Sequence, residues 1–139
     1  MVRATADLIR VAQQLLDHES SAAAPASYAD SAGFRVCKKL RRSLIVLVGR
    51  GGFLALLQRA LTLAQAEAPD LSALQLAADG SLEIAGAFDE WLARGRIANS
   101  EPILIAQLVG LLVTFIGKTL VLSLLLEEWP NASFEDWKS

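Results

Sequence analysis

The amino-acid sequence predicts an all-α fold, a bundle of about four main helices, on three observations. Hydrophobic residues make up 53% of the 139, mainly Leu and Ala rather than β-branched side chains, a mixture that favours helix. Apolar positions recur at 3-and-4 spacing along several stretches. The longest of these, 102–126, is almost wholly apolar and is closed by Pro130. The length corresponds to a single domain over 1–139, large enough to bury a core without a disulfide or a metal.

The first helix is expected over 5–17. Thr5 is its N-cap candidate, and Leu8, Ala12, Leu15 and Leu16 form one face. Residues 19–30 (ESSAAAPASYAD) are small and polar with Pro25 inside, and read as a flexible linker. A second helix is expected over 33–48, with Phe34, Cys37, Leu40, Leu44 and Leu47 on its apolar face. The run Gly49-Arg50-Gly51-Gly52 reads as an interhelical turn. A third helix, 53–66, carries Phe53, Leu56, Leu57, Ala60, Leu61, Leu63 and Ala64 and is stopped by Pro69.

Between 71 and 99 the periodicity weakens. Asp79-Gly80 between LQLAA and SLEIA signals a short hairpin, with an irregular loop as the alternative, and 88–93 fits a short helix ended by Gly95. The last helix has Ser100 as N-cap candidate, Glu101 and Pro102 in its first turn, and Glu128 near its end. Unbroken, it makes a rod of about 40 Å. A polar tail, 131–139, follows.

The run 102–126 is long enough to span a membrane. Lys118 near its middle argues instead for a protein surround, because a lysine at the bilayer centre costs about 2.5–3.5 kcal/mol on insertion scales. On a continuous helix Gln107, Thr114 and Lys118 share one narrow polar stripe. Helices of ordinary length cannot cover such a rod end to end, which motivates a homodimer with the last helix at its centre.

Net charge is −2, but its distribution is uneven. No acidic residue lies between Ser31 and Ala66, where Arg35, Lys38, Lys39, Arg41, Arg42, Arg50 and Arg59 fall, while 67–139 is strongly acidic. Arg35, Lys38, Lys39 and Arg42 share a helical face and form a basic patch. Two readings fit: pairing with the acidic flanks of the same chain, or recognition of an acidic partner. Overall acidity and the lack of interleaved aromatics disfavour nucleic acid.

Other candidate chemistry is sparse. His18, the single histidine, sits where it caps the first helix. Cys37, the single cysteine, lies at an apolar position beside Lys38 and Lys39, so burial as a small apolar residue competes with activation by the cations. Neither has the partners for a zinc or Ser-His site, and no cofactor or metal is expected. GRGG lacks the Lys-Ser/Thr of a phosphate loop. Trp91, Trp129 and Trp137 read as core-edge anchors, with exposed Trp129 and Trp137 as possible docking residues.

Two stretches, LLQRALTLAQAEAPDLSAL…DGSLE (from Leu56 to Glu83, with a gap) and IAQLVGLLVTFIGKTLVLSLLLEEWP (105–130), resemble a set of small bacterial proteins without assigned activity. The resemblance implies a bacterial source and a shared helical fold, and no catalytic residues. That set commonly carries an acidic residue after Phe-Ile-Gly, where this chain has Lys118.

The functional expectation is therefore a non-enzymatic, cytoplasmic protein–protein interaction module that self-associates, its basic helix facing an acidic partner. The alternative is a membrane-associated protein with 102–126 inserted and the basic helix on anionic lipid. A third is a small-ligand-binding bundle with a polar cavity around Gln107, Thr114 and Lys118.

Overall fold

A computed structural model of the chain describes residues 6–19, 32–77, 82–84, 90–130, 132 and 134, with backbone alone for 90–96 and 98. The fold is all-α. Among the described residues four helices pack together beside one short two-stranded sheet: α1 (Ala6–Glu19), α2 (Ala32–Glu67), α3 (Glu90–Ile116) and α4 (Lys118–Glu128). The most extensive interface lies between α2 and α3, and α1 packs chiefly on α3.

α1 buries Val11, Ala12, Leu15 and Leu16, the spacing of a single helical stripe. It runs to Glu19, two residues beyond the expected end; the linker expected after it lies outside the described residues.

α2 contains one non-helical residue, Gly49, at φ 78° and ψ 169°. That backbone region is essentially restricted to glycine. Before this corner Val36, Cys37, Leu40 and Leu44 are buried, and after it Phe53, Leu57, Ala60, Leu61 and Ala64. The expected turn at 49–52 is thus a one-residue corner, with Gly51 and Gly52 already helical. The core-facing stripe ends early: Leu47, expected inside, is 49% exposed.

Pro69 ends the helical ladder and opens a 3-10 turn, Pro69–Ala73. Strands β1 (Leu74–Leu76) and β2 (Leu82–Ile84) follow, antiparallel, with Leu74 opposite Ile84 and Leu76 opposite Leu82. The hairpin reading of the Asp79-Gly80 region therefore holds for its strands; the turn itself lies outside the described residues. Gln65 Nε2 donates to the carbonyls of Leu71 (3.1 Å) and Leu74 (3.0 Å), which ties the turn and β1 back onto α2.

The last part of the chain departs from the expected rod in two ways. First, α3 starts at Glu90, so Ser100, Glu101 and Pro102 lie inside a helix rather than at its start. Ser100 and Glu101 are buried, and Ile97, fully buried, anchors the preceding turns. Gly95 costs about 1 kcal/mol against alanine there, which tertiary burial overrides. Second, the helix breaks at Gly117 (φ 92°, ψ 152°) and α4 is a separate element. The ~40 Å rod does not exist, and with it goes the geometric reason for a dimer partner running its full length.

The contacts fix how the pieces run. Glu19, at the end of α1, meets Arg35 and Lys39 in α2 and Trp129 after α4. Glu101 of α3 lies against Gly33 of α2. Leu8, near the start of α1, reaches Gly110 of α3. α1 is therefore antiparallel to this part of α3, while the first part of α2 and α3 climb from a common end. The separation from Gly33 to Gly49 equals that from Glu101 to Gly117, about 24 Å of helix in each case. α4 then returns, bringing Glu128 to Arg42 and Ser43. Both glycine corners consequently sit at the end of the bundle remote from Glu19.

Neither corner glycine has a heavy atom within 4 Å of a built Cβ, so alanine there meets no clash. The cost is conformational alone, about 1–3 kcal/mol per site. Gly49→Ala and Gly117→Ala are each expected to lower urea-unfolding stability by that amount, and equal stability to the parent would contradict the positive φ at the site.

Candidate functional site

The basic face of α2 is met by the acids of its own chain. Lys39 Nζ pairs with the Glu19 carboxylate, whose Oε2 also accepts the Trp129 indole N–H at 2.8 Å. Lys39 Nζ stands 5.5 Å from the centroid of the same indole ring, within cation–π range. Arg35 donates to the Glu19 main-chain carbonyl at 3.2 Å. Arg42 reaches Glu128 at 3.0 Å, and the Ser43 hydroxyl donates to the other oxygen of that carboxylate at 2.9 Å. Of the four residues expected to bind a partner, Arg35, Lys39 and Arg42 are engaged by groups of the same chain, Arg42 at the surface, and Lys38 is exposed. Trp129 is 4% exposed, which agrees with the core-edge reading and not with the alternative of an exposed docking residue. The side chain of Trp91, and Trp137, lie outside what is described.

The polar stripe expected on the last helix is dispersed. Gln107 is buried, Thr114 is exposed with its hydroxyl donating to the Gly110 carbonyl at 3.1 Å, and Lys118 lies beyond the break. Gln107 and Thr114, seven residues apart in the unbroken α3, still share a face but are covered at one level and open at the next; Lys118 alone is displaced, because the corner at Gly117 resets the helical phase.

A buried acid was not anticipated. Glu101 is 5% exposed and its carboxylate rests on Gly33, whose backbone N–H in the first turn of α2 hydrogen-bonds it. Burial pushes this acid up to about 7, against the lowering effect of the Gly33 hydrogen bond. Cys37, one turn along α2, is wholly enclosed; burial first, and the Glu101 charge second, push its thiol up to about 12. At neutral pH it is a protonated thiol, a poor nucleophile, and the expectation of a small buried residue holds. His18 lies exposed in the last turn of α1, as the capping reading requires. Among the described residues no three His, Cys, Asp or Glu side chains group so as to hold a metal ion.

The remaining feature is apolar. Among the described residues the exposed large hydrophobic side chains are Val46 (84%), Leu47 (49%), Phe115 (65%) and Leu120 (41%). All four fall within three residues of Gly49 or Gly117. Burying such a side chain completely is worth roughly 1.5–3 kcal/mol, so the corners concentrate the unrealised apolar burial of the fold. Each corner is followed immediately by a cation: Arg50, exposed, and Lys118, half-buried. The signal was present in the sequence as two matched strings, Val46-Leu47-Val48-Gly49-Arg50 and Phe115-Ile116-Gly117-Lys118, each apolar up to a glycine and basic just after it.

By length and composition alone, two helices among the described residues are apolar enough to cross a membrane, Ala32–Glu67 and Asn99–Ile116. The most apolar stretch of the first is only 28% buried within the bundle. The chain is thus an all-α bundle with paired charges along one side and an apolar, basic end. No family model matches it, and no curated protein or solved structure does either.

Proposed function

We propose that the protein is a non-enzymatic docking module, a helical bundle that seats its two-cornered end on another body. The observation that supports this reading is the confinement of Val46, Leu47, Phe115 and Leu120 to that end. Scattered exposed apolar residues need no explanation, whereas a concentrated set marks an interaction surface. The basic face, read first as the partner-binding element, serves mainly to hold α1 and α4 on α2, because Glu19 and Glu128 already occupy it.

The test is mass by light scattering in plain buffer and with nonionic detergent micelles. The parent chain is expected either to exceed monomer mass or to capture a micelle. The double variant Val46→Ser with Phe115→Ser is expected to do neither, with unchanged helical circular dichroism. A parent chain that stays monomeric and ignores micelles would remove the docking reading.

A further inference from the structure

We propose that α4 is a hinged strap: released at its far end, it opens about Gly117 as a unit while α1, α2 and α3 stay folded. The inference does not rest on the docking reading and survives its failure.

At the hinge each helix is complete on its own side. The Gly117 N–H closes the last turn of α3 on the Val113 carbonyl at 2.9 Å, and the Gly117 carbonyl accepts the Val121 N–H at 3.1 Å as α4 begins. Rotation about φ and ψ of Gly117 therefore re-aims α4 without opening either bond. No heavy atom lies within 4 Å of a Cβ built there, so nothing on that side wedges the corner.

The grip on α4 is thin along its length and concentrated beyond its end. Of its eleven residues it buries Val121 and Leu125, with Leu122, Leu124 and Leu126 partly covered. By contrast, α3 buries every residue from Leu104 to Val109. At the far end Trp129 is buried and its indole donates to Glu19, Glu128 meets Arg42 and Ser43, and Ala132 and Phe134 are buried just after. This clasp joins the strap to the end of α1 and the first part of α2. Segments with few buried contacts open at a smaller free energy than the whole fold. A helix this short is marginal in water by itself, so the released strap unwinds and its amides become exchangeable. Opening bares the apolar surface of α2 and α3 on which Val121 and Leu125 sit.

Native-state hydrogen exchange of the full chain, read under conditions where reclosing outruns exchange, tests this. In the parent, the amides of 121–128 are expected to exchange roughly tenfold or more faster than those of 104–109, after correction for intrinsic rates. Glu128→Gln with Trp129→Phe weakens the clasp and is expected to speed 121–128 by a further factor of about ten. Ala64→Gly, placed in the half of α2 beside the hairpin, discriminates local from global opening. It is expected to speed 104–109 roughly fivefold, the effect of glycine in a helix interior, and to leave 121–128 unchanged. Three results overturn the strap: protection of 121–128 equal to that of 104–109 in the parent, an equal response of both stretches to Ala64→Gly, or exchange of 121–128 unaltered in the clasp variant.

Discussion

Replacing Gly33 with alanine is expected to destabilise the fold by about 3 kcal/mol, the upper range for an overpacked site, against the usual gain of roughly 0.5–1 kcal/mol for Gly→Ala in a helix. The reversal comes from one contact. A Cβ at position 33 would overlap the Oε2 and Cδ atoms of Glu101 and stand 3.1 Å from Oε1. Glu101 is buried, so the obstructing atoms cannot swing into solvent. In a Glu101→Ala background the obstacle is gone, and the same Gly33→Ala change is expected to be neutral or mildly stabilising. Urea unfolding of the four proteins in this cycle gives the coupling directly. A Gly33→Ala cost that is the same in both backgrounds would refute the contact.

Glu101 itself is expected to make stability fall as pH rises. Its folded value of about 7 lies above the ordinary 4.5. Between those two values the folded chain holds a proton that the unfolded chain has released, so unfolding gains free energy as protons become scarce. The contribution is complete below 4.5, is lost progressively up to about 7, and stays lost above it. A shift of this size corresponds to about 3 kcal/mol in the limit. Glu101→Gln keeps an acceptor for the Gly33 N–H and cannot ionise. The variant is expected to match the parent near pH 4.5, to exceed it at pH 8, and to remove most of the slope between. Parallel melting profiles from pH 4.5 to 8 would show that the carboxyl is not the titrating group.

The helical class and the second and third helices were legible in the sequence because Leu, Ala and 3-and-4 spacing are local signals. The short hairpin was legible for the same reason, through Asp79-Gly80. What was not legible was non-local. Ser100-Glu101-Pro102 has the composition of a helix start, and only the burial of Ile97 and the contact with Gly33 place it mid-helix. Gly117 inside an apolar run is compatible with a continuous helix or a corner, and local propensity does not distinguish them. The charge asymmetry announced pairing, but which acids took part depended on Glu19 and Glu128 arriving from opposite ends of the sequence. Leu47 was misassigned to a core stripe because periodicity says which side chains share a face, not whether a neighbour covers it.

The bond from the Trp129 indole to Glu19 joins positions 110 residues apart. At 5–20 residues per second of synthesis, Glu19 waits roughly 5–20 s for that donor to be made. Until then Lys39 lacks the indole beside it and the Glu19 carboxylate lacks one of its two side-chain partners. The nascent chain therefore cannot complete this contact of α1 until position 129 has been made, so the bond that joins α1 to the end of α4 closes after the helices between them have been synthesised.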